Sequence, residues 1–152
     1  MDSSDKKTVV AVVSNFKFLK KNFNNLYNQL RRNGNYHGEI LIITSKFTPC
    51  FLIKSIRKKN QIKVLRFKNI KFDKSTEFEL NNLETFDDPN RNMTKKFQWH
   101  KLHLFDKLIK NWDYVFYLDV NMNIHYDINQ VLAFTPDNCF MARSDTYPNY
   151  DR

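Results

Sequence analysis

Thr8-Val9-Val10-Ala11-Val12-Val13-Ser14-Asn15 is the stretch from which the rest of this chain can be read. Its first six residues are apolar or β-branched without a polar alternation, so a strand built from them needs cover on both faces, as in a parallel sheet. Ser14-Asn15 then supplies cap-type residues that end the strand and open a helix. Downstream, Leu19, Phe23, Leu26, Tyr27 and Leu30 follow at spacings of four, three, one and three, which is one stripe of a helix. Asn33-Gly34-Asn35 stops it. Glu39-Ile40-Leu41-Ile42-Ile43-Thr44 reads as a second buried strand, residues 51–59 as a basic helix, and Ile62-Lys63-Val64-Leu65-Arg66-Phe67 as a third strand. Strand, helix, strand, helix, strand at this spacing implies right-handed crossovers and a mostly parallel sheet flanked by helices, an α/β fold.

Beyond Asn69 the pattern lapses until Asn92, and a long loop with room for a short helix is expected there. Trp99, Leu102, Phe105, Leu108, Ile109 and Trp112 restore helical spacing, and Trp112-Asp113 closes that helix. Tyr114-Val115-Phe116-Tyr117-Leu118 is the most strand-like run in the chain and leads directly into Asp119-Val120-Asn121. Residues 127–134 suit a short helix and Cys139-Phe140-Met141-Ala142 a further strand. No repeat, heptad array or low-complexity tract is present.

The 152 residues fit one domain, 1–152, and with 41% apolar and 15% aromatic residues a real core can form, which excludes wholesale disorder. Twenty-five Lys and Arg against sixteen Asp and Glu leave a net charge of +9, which favours an anionic partner. Codon bias in an AT-rich genome would also raise Lys together with Asn, Ile and Phe. Cys50 and Cys139 have neither metal-ligand spacing nor the density of a disulfide framework. Met1 is followed by Asp2-Ser3-Ser4-Asp5 and not by a basic and then a long apolar segment, so no secretory signal is read. No apolar run is long enough to span a bilayer. A cytoplasmic location follows as the expectation, and a host cytoplasm if this AT-rich composition is viral.

In an open parallel sheet, ligands bind beyond the carboxyl ends of the strands. Asp119 stands at that end of its strand and Ser14-Asn15 at the matching end of the first. Taken alone, Asp119 could equally be a turn or cap residue. The wider pattern adds a resemblance. Phe97-Gln98-Trp99-His100-Lys101-Leu102-His103-Leu104-Phe105, then Tyr114 through Met122 with Asp119-Val120-Asn121, then Ile124 and Asp127-Ile128, resembles the central block of the glycogenin-type sugar-nucleotide glycosyltransferases. There a Lys-Leu-His helix precedes an apolar strand ending in Asp-x-Asp. The β-branched first strand, the Ser-Asn pair and the aromatic residue three positions later are similar too. The resemblance covers roughly residues 8–45 and 91–142.

It implies a Rossmann-like GT-A fold that binds a nucleoside diphosphate sugar, with UDP as the nucleotide, and transfers the sugar to a glycan or protein acceptor. It implies Mn²⁺ or Mg²⁺ held at Asp119 and Asn121, with Asp119 also facing the ribose. Lys101 would reach the donor's phosphates or sugar. Asn15 and Phe18 would hold the uracil and its ribose, Ser14 would be a further donor-binding residue, and Arg91 lies near, about one position out of register with, an arginine that contacts the donor. Two departures matter. Asp-Val-Asn replaces Asp-x-Asp, and a neutral amide at residue 121 contributes no charge, so metal binding is expected to be weak, compensated by another carboxylate such as Asp127, or dispensable. The chain also stops at Arg152, before the later acceptor-side and metal residues of that family, so it reads as a donor-binding domain or the N-terminal part of a longer enzyme.

Two rival readings stand beside this one. A non-catalytic nucleotide-sugar-binding module would bind without turnover. A nucleic-acid-binding protein would use the basic runs at Lys17, Lys20, Lys21, at Arg57-Lys58-Lys59 and at Lys63, Arg66, Lys68, Lys71 with interleaved Phe. The second is the weaker expectation, because no recognised motif accompanies the runs and the Phe positions fit the core periodicity. His100 and His103, three apart, and the isolated His125 are too few for a zinc site, and His103 is expected to pack or hydrogen-bond near the strand ends.

Overall fold

The computed structural model describes residues 6–82, 97–133 and 141. Strands β1 (Thr8–Val13), β2 (Ile40–Ser45), β3 (Ile62–Phe67) and β4 (Tyr114–Leu118) form one sheet in the order β3-β2-β1-β4, with every neighbouring pair parallel. β1 is central, as its unbroken apolar sequence requires. Val10 stands opposite Ile40 on one side and Phe116 on the other. The four strands expected within the described residues form, the second displaced by one residue to Ile40–Ser45.

Alternate residues of each strand feed two cores. Val10, Val12, Ile40, Ile42, Val64 and Leu118 face α1 (Phe16–Arg32) and α2 (Cys50–Arg57). Val9, Ala11, Val13, Leu41 and Ile43 face the opposite way, toward Leu104, Ile109 and Trp112. This division follows from handedness. Right-handed crossovers from β1 to β2 and from β2 to β3 place both helices on one face, and β4, joining β1 from the other side, carries its connection across the other face.

α1 buries Leu19, Phe23, Leu26 and Leu30 on its sheet side, each contributing roughly 1.5–3 kcal/mol relative to exposure. Asn15 caps it, its side-chain oxygen accepting from the Phe18 amide at 3.0 Å. The helix ends at the Asn33-Gly34-Asn35 stop. The amides of Asn33 and Gly34 both donate to the Gln29 carbonyl, and Asn35 takes a left-handed φ of 48°. A side chain at Gly34 would meet the Leu30 carbonyl at 2.9 Å and Ile124 at 3.1 Å, so the close approach of the 121–128 segment needs glycine.

The segment after Asn69 contains a nine-residue helix, α3 (Lys74–Asn82), started by Asp73. The Asp73 carboxylate accepts from the Ser75 hydroxyl and from the Thr76 amide and hydroxyl, which hold its pKa down at about 2. The 127–134 helix is realised as the short α4 (Asn129–Leu132). The strand expected at Cys139–Ala142 lies outside the described residues except for Met141. No helix among the described residues is long and apolar enough to cross a membrane.

The helix expected over Trp99–Trp112 is not α-helical. Two 3-10 helices, Gln98–Phe105 and Lys107–Ile109, are separated by Asp106, whose backbone is extended and whose carboxylate caps the second by accepting from the Leu108 amide at 2.9 Å. Leu102, Phe105 and Leu108, expected on the buried stripe, are exposed, whereas His100 is fully buried. The cause is pitch. Three residues per turn place positions i and i+3 in line, so Phe97, His100 and His103 form one row. Phe97 stacks on His100 at 4.7 Å, and His103 stacks on Phe67 at the end of β3 at 3.8 Å. His103 therefore packs at the strand ends as expected.

Candidate functional site

Strand order reverses between β1 and β4, since the chain leaves β1 toward β2 on one side and returns as β4 on the other. At such a point the loops leaving the two carboxyl ends diverge and open a crevice. Here it is a cleft of about 600 Å³. The end of β1 and the turn after it contribute Val13, Ser14 and Asn15, α1 contributes Phe18, the first 3-10 helix contributes Gln98 and Lys101, and the residues just past β4 are Asp119, Val120 and Asn121. Of the residues singled out in the sequence, Ser14, Asn15, Phe18, Lys101, Asp119 and Asn121 are thus brought together. Arg91 lies outside the described residues.

Each of these is held for a local reason. Ser14 is buried, and its amide continues the ladder by donating to the Ile43 carbonyl. Asn15 spends its side-chain oxygen on the helix cap, which leaves its amide nitrogen as the group it can offer a ligand. Phe18 is 45% exposed on the first turn of α1, so it is a wall of the cleft and not a core residue. Lys101 follows the buried His100 and so projects from the outer side of the 3-10 turn.

Lys101 Nζ lies 3.5 Å from Asp119 Oδ1, and the two side chains are 48% and 45% exposed. At that exposure the pair contributes about 0–1 kcal/mol to stability. Its significance is placement, since a cation and a carboxylate from separate elements meet at the mouth of the crevice. Tyr117 completes the arrangement. Its hydroxyl donates to the same Asp119 oxygen, and Lys101 Nζ sits 4.9 Å from the centre of its ring. Burial, and then the neighbouring carboxylate, push the Tyr117 pKa up, so the phenol stays protonated and remains a donor. Sequence reading passed over Tyr117, although residues two apart on a strand share a face and Tyr117 stands two before Asp119. Phe97 and Gln98 were passed over as well; at three residues per turn, Gln98 lies directly in line with Lys101.

Behind the cleft, Asn69 joins β2 to the 3-10 helix. Its side-chain oxygen accepts from the Ser45 hydroxyl at 2.9 Å and lies 3.3 Å from His100 Nε2. Burial lowers the pKa of both His100 and His103, so both rings are neutral supports of the helix that carries Lys101.

Asp127 lies apart from the cleft and does not supply the compensating carboxylate expected there. From Asn121 the chain runs down the length of α1. Gln29 bonds Asn123 and Ile124, Asn33 bonds the Ile124 carbonyl at 2.8 Å, and Asn35 donates to Asp127 at 3.2 Å. Asp127 therefore lies at the far end of a helix of 17 residues, roughly 25 Å long at 1.5 Å per residue. There it starts α4 by accepting from the Asn129 amide at 2.8 Å. The described residues contain no group of three or more His, Cys, Asp and Glu side chains able to hold a metal by themselves.

Comparison with protein-family models, with curated protein sequences and with solved structures gives no match to this chain.

Proposed function

We propose that the cleft between β1 and β4 binds a nucleoside diphosphate sugar and that the chain is the donor-binding domain of a glycosyltransferase. The observation that carries this reading is the meeting of Lys101 and Asp119 at the point where strand order reverses. A diphosphate at that place gains a charge-assisted contact from Lys101, which exchanges the Asp119 oxygen for a phosphate oxygen. Phe18 offers a ring face to a base, and the Asn15 amide nitrogen offers a donor to a base or ribose oxygen.

The donor set suits a hard divalent ion only in part. Asp119 supplies one carboxylate and Asn121 an exposed neutral carbonyl, and Mg²⁺ in particular is commonly held by one or two carboxylates together with substrate phosphates. Asp119 and Asn121 are the residues that would hold Mn²⁺ or Mg²⁺, whose chemistry is to neutralise charge on the departing diphosphate. The protein's own part is to orient the donor, to keep Tyr117 protonated against Asp119 and to present Lys101 to the leaving group. A module that binds the donor without turnover is favoured by one observation: residue 121 is Asn, so the charge that would help hold the ion is missing.

Calorimetric titration of UDP with and without Mn²⁺ tests the reading in three proteins. Wild type is expected to bind Mn²⁺ weakly alone and appreciably only with UDP, because the diphosphate supplies the missing charge. Asn121→Asp is expected to tighten Mn²⁺-dependent UDP binding, and Asp119→Asn to abolish the metal dependence. Absence of UDP binding under both conditions sinks the proposal, and a metal dependence unchanged by Asn121→Asp removes residue 121 from the metal.

A further inference from the structure

From Lys6 to Phe72, sixteen residues are Lys or Arg and one, Glu39, is acidic, whereas the remainder of the chain has nine basic and fifteen acidic residues. Coding bias would spread the basic surplus along the whole chain, so this segregation needs another cause. Its one acid is engaged, since Glu39 accepts from the Trp112 indole at 2.8 Å. The fold then concentrates the charge. α1 and α2 lie side by side on one face of the sheet. Phe16 packs edge-on against Phe51 at their amino ends, at 6.4 Å. At their other ends, Arg31 donates to the Asn60 carbonyl and Lys59 sits over the Tyr27 ring. Their outward sides therefore form one continuous surface. Lys17, Lys20 and Lys21 are exposed on α1, and Lys54, Arg57 and Lys58 on or just beyond α2.

The aromatic residues of the same region follow the core only in part. Phe23 is buried, but Phe47 is 79% exposed and Phe51 64%, and both stand where β2 and α2 meet the carboxyl edge of the sheet. Each has a lysine one to three residues away, Lys46 beside Phe47 and Lys54 beyond Phe51. Exposed rings at one end of a long basic track match a single-stranded nucleic acid, whose phosphates follow the cations and whose unstacked bases lie on the rings.

We propose that the outer face of α1 and α2 binds single-stranded nucleic acid, independently of the donor cleft. A membrane fits this surface less well. If the rings entered a bilayer end-on, the basic residues at the carboxyl ends of the helices would lie roughly 10–25 Å from the headgroups, beyond a Debye length of about 8 Å. If the helices lay flat on it, the outward residues of α1 would present Lys and Asn, with its apolar stripe already spent on the core. An acidic protein would use the charge but gives no role to the exposed rings.

The test is fluorescence anisotropy of the full chain with labelled oligothymidylate and oligouridylate of about twenty nucleotides, longer than one stacking site of about 4–16. Four to six phosphate contacts give a log–log salt slope of about −3 to −4, or about a hundredfold loss between roughly 50 and 200 mM salt. Lys17→Glu with Lys20→Glu and Lys21→Glu, and separately Lys54→Glu with Lys58→Glu, are expected to weaken binding at least about tenfold. Lys107→Glu with Lys110→Glu, on the other face, is expected to change it about twofold or less. Phe47→Ala with Phe51→Ala is expected to weaken single strands about tenfold and a duplex of the same length hardly at all. Saturating UDP is expected to leave the affinity unchanged, which separates this surface from the cleft. No binding at low salt, equal loss in the Lys107 and Lys110 control, or binding of phosphatidylserine vesicles or polyglutamate as tight as that of the oligonucleotides would overturn the proposal.

Discussion

Lys101 is the residue on which the donor cleft turns, because it reaches Asp119 from a different element and because Lys107, six residues on in the second 3-10 helix, provides a matched control. Loss of one charge-assisted contact to a phosphate costs about 1.5–3 kcal/mol. Lys101→Ala is therefore expected to weaken UDP or UDP-sugar binding by that amount, and Lys107→Ala to leave it unchanged. Calorimetry or a thermal-shift titration reads the difference, since a ligand that binds only the folded chain raises its apparent stability by mass action. Equal effects would remove Lys101 from the site. Lys101 and Asp119 were legible in the sequence because their types stand at informative places, before and after an apolar strand. Tyr117 was not, because a tyrosine within such a strand looks like packing until its hydroxyl is seen on Asp119.

At the scale of elements, α1 repays the closest reading because it ties the cleft at its amino end to the 121–128 segment at its other end. Asn15→Ala removes the cap and is expected to cost about 1 kcal/mol, within a range of about 0.5–2. Gly34→Ala drives a Cβ against the Leu30 carbonyl and Ile124, and is expected to cost about 1–3 kcal/mol, as overpacking does. Urea midpoints of the two variants check both values. A Gly34→Ala protein as stable as wild type would show that the 121–128 segment can move away from α1. α1 could be read correctly because seventeen residues sample the helical period several times. The stretch from Gln98 to Ile109 could not. It is short, and its apolar residues satisfy a period of 3.6 on paper, yet stacking of Phe97, His100 and His103 in a row of three favours the tighter turn and turns Leu102 and Phe105 to solvent.

The whole molecule registers the buried imidazoles as a dependence on acidity. His100 and His103 have folded-state pKa values below the ordinary 6.5, chiefly because burial disfavours the charged ring. Between the folded value and about 6.5 the unfolded chain binds more protons, so their contribution is complete above about pH 6.5 and is lost as the pH falls below it. Denaturant midpoints are expected to hold above about pH 6.5 and to drop as the pH falls from there to about 5.5. Replacing both by Gln is expected to flatten that slope, though the variant starts from lower stability. A slope unchanged in the double variant would place the titrating groups elsewhere.

The sequence alone carries the layered α/β plan. Six-residue apolar runs must be covered on both faces, a helical stripe must turn toward them, and short connections leave parallel strands as the consistent arrangement. It also marked Asp119 and Ser14-Asn15 as strand-end residues, since a change from apolar to polar is a local signal. That β4 pairs with β1 and not with β3 emerges only when the elements pack together. That pairing creates the crevice and brings Lys101 to Asp119. It was also the tertiary structure that decided which phenylalanines are core and which stand at the surface, because Phe23 and Phe51 are the same residue in comparable local patterns. The physical reason is the same in both cases. Local sequence specifies backbone conformation and a buried side, whereas strand order and exposure depend on which distant surfaces are left to be covered once the elements meet.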